Sequence, residues 1–301
     1  MPIDYVTTFV DGSDTNWRKL YVRTFGRAPE MQRYRNYDTL KYALRGIEEC
    51  MPWIRYIFLI VQNESQIPKW LNRDNPKIKI VFHEDFIPKE FLPTFNSNVI
   101  EMFINRIPEL SEYFILANDD MIPTKKMEPT RFYRDGKPVE KILVRDKNMQ
   151  RTFDKKVFDY IVFNTVKLAA KAAGLRNNVW YRDWHLLVPH LKSSWNYVWK
   201  NFGNEIKIGL LNSHKRTRRN HNHWVFRYFN INTGRYIDNQ NIDTNGYTLI
   251  KDDTTVEIIR EKIYGNDVVC LNDGVKDNTN VCNYVKEVLN TRFPNKCSFE
   301  K

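Results

Sequence analysis

Along the first 120 residues, hydrophobic and polar positions switch between two periods. Residues 3–10 are rich in β-branched and aromatic side chains and run into the polar turn Asp11-Gly-Ser-Asp14, the pattern of a strand closed by a tight turn. Leu40, Ala43, Leu44, Ile47 and Met51 then recur at helical spacing behind a cap near Asn36 or Asp38, and Pro52 ends that helix. Residues 55–61 form an unbroken apolar run of the kind buried on both faces of a sheet. Strand, helix and strand at this spacing predict a parallel βαβ unit.

The pattern repeats after the connection at residues 67–71. A strand over 78–82 ends in His83-Glu-Asp85, and a helix from about Asn98 carries Val99, Ile100, Phe103, Ile104 and Ile107 on one face. Asn98 and Glu101 have the spacing of a capping box. The next apolar strand ends in Asn118-Asp-Asp120. A hairpin is predicted around Asp135-Gly136. The period then turns helical through Val157, Ile161, Thr165, Leu168 and Ala172, with Gly174 as the cap. A second hairpin is predicted near Asn232-Thr-Gly234, a helix behind the capping box Thr254-Thr-Val-Glu257, and a short strand ending in Asn272 and Asp273.

These elements predict an α/β fold: a mostly parallel, Rossmann-like sheet flanked by helices, with a helical insertion. With 301 residues the chain can bury one sizeable core, so residues 1–301 are expected to form a single catalytic domain. Within it, residues 1–149 form the α/β core, 150–212 a helical insertion over the active edge, and 213–301 a part that completes the core and the site. Neither internal repeat nor low-complexity tract interrupts it.

Charge adds a partner class. The 47 Lys and Arg against 36 Asp and Glu leave +11, which favours an anionic partner, although the one dense basic run is His214-Lys-Arg-Thr-Arg-Arg219. Charge scattered elsewhere among acids argues against nucleic acid. No apolar run nears the roughly 20 residues of a membrane span, and the first residues lack a signal-peptide pattern, so a soluble cytoplasmic chain is expected. Cys50, Cys270, Cys282 and Cys297 lack CxxC spacing, which predicts free thiols and no zinc site.

Candidate chemistry gathers at predicted strand ends: Asp11 and Asp14, Asp119 and Asp120, and Asp273. An isolated acid pair is more often a turn or a cap than a ligand set; the shared position is what singles these out. Carboxylates collected at one sheet edge repel unless a cation or an Arg neutralises them, so Mg²⁺ or Mn²⁺ with a diphosphate is the economical reading. Leu92-Pro-Thr-Phe-Asn-Ser-Asn98, at a helix start, suits a phosphate. Arg35, Arg216, Arg218 and Arg219 can bind phosphate oxygens as bidentate forks, although Arg216 and Arg219 equally suit a solvated basic face. His185 is the general-base candidate, with His190, His214, His221 and His223 competing.

Four blocks of these residues resemble, in order, the Stealth family of sugar-1-phosphate transferases, which includes bacterial capsular and wall polysaccharide phosphotransferases and the catalytic subunit of the Golgi N-acetylglucosamine-1-phosphotransferase. The first is Ile3-Asp-Tyr-Val-Thr-Thr-Phe-Val-Asp-Gly-Ser-Asp14. The second runs from Arg33-Tyr-Arg through Pro52-Trp-Ile-Arg, Pro68-Lys-Trp-Leu-Asn and Leu92-Pro-Thr-Phe-Asn-Ser-Asn to Asn118-Asp-Asp-Met121. The third is His185-Leu-Leu-Val-Pro-His-Leu-Lys-Ser-Ser-Trp195 with the later Arg-rich run, and the fourth is Cys270-Leu-Asn-Asp273.

The resemblance implies a GT-A-like sheet and transfer of a sugar 1-phosphate from a nucleotide diphosphate sugar to an acceptor hydroxyl, releasing a nucleoside monophosphate. Carried over by position, Asp11 would belong to the donor site, His185 would be the essential His and Arg218 the essential Arg, with Asn272 and Asp273 helping to form the pocket; the residue chemistry adds Asp120 to this catalytic set, and Asp119 with Asp120 as the metal ligands. Gly12, Ser13, Arg35, Asn96, Ser97, Asn98, Asn118, Lys192, Asn272 and Asp273 would bind substrate. Three residues separate His185 from Pro189 where some members have one, so His190 stays a rival; Arg216 and Arg219 compete with Arg218. The partners implied are a UDP-linked sugar donor and a lipid-linked glycan at the inner face of the cell membrane, with peripheral docking of the basic surface. The alternative is a metal-dependent GT-A-type glycosyltransferase, which would release the nucleoside diphosphate.

Overall fold

The computed structural model describes residues 1–30, 34–151 and 156–301, so Arg33 of the second block and residues 152–155 of the expected insertion lie outside the described residues. In chain order, β1 (Ile3–Thr8) leads to α1 (Thr15–Phe25), α2 (Thr39–Cys50), β2 (Ile57–Val61), β3 (Ile78–Phe82) and the single turn α3 (His83–Phe86). Next come α4 (Ser97–Met102), β4 (Tyr113–Asn118), β5 (Met121–Pro123), β6 (Tyr133–Arg134), β7 (Lys137–Glu140) and β8 (Val144–Asp146). The second half holds α5 (Val157–Ala172), β9 (Trp180–Tyr181), β10 (Val188–Leu191), α6 (Lys192–Leu210) and α7 (Trp224–Asn232). It closes with β11 (Ile237–Asp238), β12 (Tyr247–Ile250), α8 (Val256–Gly265), β13 (Val268–Asp273) and α9 (Asn280–Arg292).

The main sheet has the order β10-β4-β1-β2-β3, with β1 to β4 parallel and β10 antiparallel at the edge. A mostly parallel sheet flanked by helices is therefore what the strand and helix periods specify. Both faces are covered. Leu40, Leu44 and Ile47 of α2 pack on Tyr5, Ile57, Leu59 and Ile115, while Trp195 and Val198 of α6, Phe226 of α7 and Met102 of α4 pack on Val6, Phe58, Ile60 and Phe114. This explains the near-continuous apolar runs of the parallel strands.

The strand order places β2 and β3 on one side of β1 and β4 on the other, so the topological switch point lies between β1 and β4. Their carboxyl ends are level, with Thr8 opposite Asn118. Open α/β sheets bind ligands in such a crevice.

A second sheet, β12-β13-β5, continues from that edge, because β5 starts one tight turn after β4. It packs on α8 and α9 through Ile250, Val269, Leu271, Ile259 and Leu289. Gly46 of α2 lets this sheet approach; a Cβ there would lie 2.3 Å from the Pro123 carbonyl oxygen.

Several expectations need correction. Residues 150–212 are not simply helical, since β10 within them is an edge strand of the main sheet, where its buried residues Val188, Pro189, His190 and Leu191 cover β4. Asn232-Thr-Gly234 is no hairpin: Gly234, at φ +69°, follows the end of α7. α4 stops at Met102 and continues only as a 3₁₀ turn, and its cap is Asn96, not Asn98. α1 leaves almost no trace in the hydrophobic pattern, because its buried residues are only Trp17 and Tyr21. The hairpin at Asp135-Gly136 forms as expected, with both residues at positive φ.

Candidate active site at the switch point

The first wall is the loop after β1. The Asp11 carboxylate accepts from the backbone and hydroxyl of Ser13 at 2.8 and 2.7 Å, and its amide donates to Gln66 Oε1 at 2.7 Å. Gly12 is needed for closeness: its amide donates to the Tyr34 carbonyl at 3.1 Å, and a Cβ would sit 2.4 Å from that oxygen. Asp14 does not join the site. It caps α1, accepting from the Trp17 amide at 2.6 Å.

The second wall is the turn at Asp119-Asp120, beside Asn118, where the chain leaves the main sheet for β5. Burial pushes the Asp119 carboxyl up to about 8, with the neighbouring Asp120 adding repulsion. Burial raises Asp120 too, and His185 partly offsets it. Asp120 Oδ2 accepts from the Cys270 thiol at 3.5 Å, while Oδ1 is buried with no hydrogen-bond partner. Two repelling carboxyls and an orphaned acceptor fit a divalent cation. No group of three or more His, Cys, Asp or Glu among the described residues is arranged to hold one, so the remaining ligands would be phosphate and water oxygens, the usual mode for Mg²⁺.

The third wall is β13. The Leu271 amide donates to the Asp120 carbonyl at 3.0 Å, which carries Asn272 and Asp273 to the same end. Asp273 belongs to the second sheet, not to the parallel one. Arg35 Nη1 lies 3.5 Å from Asp273 Oδ2 and donates to the Tyr37 hydroxyl at 3.3 Å. The predicted Arg and acid thus meet, although most of the chain separates them in sequence.

His185 completes the site. It has φ +51°, unusual for a residue with a Cβ, and its ring packs edge-on against Tyr247 at 5.5 Å. Nδ1 lies 3.8 Å from Asp183 Oδ2. Burial lowers the affinity of the ring for a proton, but Asp183, Asp120 and Glu101 outweigh it and raise the pKa above 6.5. Asp183 is held low against its own burial by His185, Arg227 and His223.

The rival histidines are committed elsewhere. His190 is fully buried; the donor-only Trp195 indole gives its N–H to Nδ1 at 3.2 Å, so Nε2 carries the proton and donates to His223 Nδ1 at 3.3 Å. Burial lowers both well below the usual range, His223 to about 4. His221 is likewise buried and lowered to about 4, and His214 Nδ1 bonds the Pro93 carbonyl at 2.6 Å.

The stretch at residues 92–98 is reassigned. Asn96 is buried and its side chain is used up: Oδ1 accepts from the Asn98 amide at 3.1 Å, while Nδ2 donates to the Ser213 carbonyl at 3.0 Å and to Asn220 Oδ1 at 2.8 Å. Asn96 is therefore a clamp between α4 and the 213–220 loop, and it has no hydrogen-bonding group left for phosphate. Asn98 is buried as well. Ser97 accepts from Arg216 Nη2 at 2.9 Å. Of the three competing arginines it is Arg216 that reaches this corner, where Glu101, pushed up to about 7 by burial, is partly offset by Arg216 and His185. Arg218 lies over the Tyr160 ring at 4.9 Å, and Arg219 reaches the Leu211 carbonyl at 3.4 Å. Arg216→Ala is accordingly expected to lower kcat/KM about tenfold more than Arg218→Ala, measured side by side at saturating acceptor.

Lys192 is also corrected. Its ammonium caps the Ile107 and Leu110 carbonyls at 3.3 and 3.1 Å, beside the start of β4 where Leu191 pairs with Tyr113. That is the opposite end of the sheet, about 20 Å from the Asp pair at the rise of a strand. Asp183 and Glu101 escape the sequence reading. The available signal for Asp183 is an acid two residues before His185; for Glu101 it is a carboxylate amid apolar positions, which reads equally well as a cap.

Residues 33–140 match the family model "Stealth protein CR2, conserved region 2". The chain is 32% identical to a capsular polysaccharide phosphotransferase, WcwK of Streptococcus pneumoniae, over 99% of each chain. It is 29% identical to the receptor polysaccharide phosphotransferase WefC of Streptococcus oralis, again over 99% of each. With the Haemophilus influenzae capsular polysaccharide phosphotransferase fcs1 it shares 33% over 70% of this chain and 60% of that one. Among solved structures, the galactosyltransferase LgtC with donor and acceptor sugar analogues overlaps 96% of this chain and 95% of its own at 11% identity and a TM-score of 0.43. That overlap is too loose to build on.

Proposed function

The chain belongs to the Stealth family, and on that premise we propose that it transfers a sugar 1-phosphate from a nucleotide diphosphate sugar to a hydroxyl of a glycan acceptor in cell-surface polysaccharide synthesis. The observation that carries this reading is the meeting of the Asp11 loop, the Asp119-Asp120 turn and His185 at the β1/β4 switch point. The donor diphosphate lies across that crevice, with Asn272 and the Arg35–Asp273 pair on its far side. Asp119 and Asp120 would hold a Mg²⁺ or Mn²⁺, which would supply positive charge to neutralise the diphosphate. His185 takes the proton of the acceptor hydroxyl, whose oxygen bonds to the phosphorus bearing the sugar. The bond from that phosphorus to the nucleotide side breaks, and a nucleoside monophosphate leaves. Arg216 steadies charge on the group in transfer, the electrostatic positioning that phosphoryl transfer mainly needs.

Relatives named polysaccharide phosphotransferases support the acceptor class. A lipid-linked glycan at the inner membrane face suits the exposed residues Lys215, Arg216, Arg218 and Arg219. No helix among the described residues is long and apolar enough to cross a membrane, so such docking would be peripheral. With a UDP-sugar, acceptor-dependent release of UMP is expected, abolished by EDTA and restored by Mg²⁺ or Mn²⁺. Release of UDP as the sole acceptor-dependent nucleotide would overturn the reading in favour of glycosyl transfer.

A further inference from the structure

We propose that Asp183 is the positioning residue that fixes the ring of His185 with Nδ1 turned inward and Nε2 presented to the acceptor hydroxyl. The inference rests on the reading of His185 as the base. Asp183 Oδ2 lies 3.8 Å from His185 Nδ1, a charge contact short enough to close to a hydrogen bond when substrate fills the crevice. Its side chain is 14% exposed against 38% for the imidazole, so the carboxylate forms the floor and the ring the surface.

Three observations make this a built arrangement. His185 is a non-glycine residue at φ +51°, a conformation that costs about 1 kcal/mol or more and persists only where the surroundings impose it. Arg227 is 2% exposed, is paired with Glu140, and also lies within electrostatic reach of Asp183. Arg227 comes from α7 and its ion-pair partner Glu140 from β7, so a cation fixed by two elements distant in sequence faces the carboxylate through electrostatics. Tyr247 of β12 closes the ring on another side at 5.5 Å. A carboxylate on Nδ1 selects the tautomer with the proton on that nitrogen and leaves Nε2 with its lone pair, the form a base needs.

The test compares Asp183→Asn, Asp183→Glu, His185→Ala and the double variant D183N/H185A, in the full chain with a UDP-sugar and glycan acceptor. D183N is expected to lower kcat about 10²-fold with donor KM within about twofold; D183E should recover at least about tenfold of that. D183N/H185A should be no slower than H185A alone, because Asp183 has nothing left to position. Full turnover in D183N together with a crippled H185A would overturn the positioning role and leave the base assignment standing. Full turnover in H185A would instead sink the base assignment. Additive losses in the double variant, or unfolding of both Asp183 variants by circular dichroism, would assign Asp183 to the Arg227 network alone and overturn the proposal.

Discussion

His185→Ala lowers kcat by about 10²–10⁴-fold, the range a positioned general base contributes, while the protein keeps its fold. The fold is spared because the ring is 38% exposed, with Tyr247 edge-on at 5.5 Å and Asp183 at 3.8 Å. Alanine at φ +51° stays strained, so His185→Gln serves as the control for lost chemistry against lost shape. The pH profile gives the sign. Acids around the ring raise its pKa above 6.5, so it is protonated, and unable to accept a proton, over a wider acid range than a free histidine. Turnover of the native enzyme should therefore climb through an acid limb that lies above pH 6.5, and that limb should be absent from the residual activity of His185→Ala. A limb at or below that pH, or one that survives the substitution, counts against the assignment.

How far the site was legible depends on how local its signals were. β1 to β4 could be read because parallel strands buried on both faces show as apolar runs, and the helices between them marked the pairing as parallel, whereas the order β4-β1-β2-β3 appears only in the structure. The two acid turns were visible because each directly follows such a run. What stayed hidden was set by contacts distant in sequence. Asn96 looks like a phosphate ligand until Ser213 and Asn220 are seen to consume its amide. Lys192 lies in the same block as His185 yet falls at the far end of β4, because β10 runs antiparallel and carries the chain away from the site. His190 and His185 cannot be ranked by spacing, but β10 buries one in the core beneath Trp195 and leaves the other at the crevice.

Partners distant in sequence also set stability at the buried Arg227–Glu140 ion pair. Arg227→Met is expected to cost about 3–5 kcal/mol, because it strands buried carboxylates that the guanidinium now neutralises. Glu140 is 8% exposed, and burial already raises its pKa against the pull of Arg227; without Arg227 that opposition is gone and the pKa rises further. A carboxyl whose folded pKa exceeds its unfolded value binds more protons when folded, so stability falls as pH rises between the two. The deficit of Arg227→Met should thus be larger at about pH 8 than at about pH 5, seen as a melting temperature lower by about 10 °C at the higher pH. Pairing it with Glu140→Leu removes one stranded charge and should recover part of the loss, since replacing both ions by apolar groups is often close to neutral. A deficit independent of pH, or a double variant as unstable as the sum of its parts, would mean that Arg227 supports the fold by packing on Tyr228 instead of by charge.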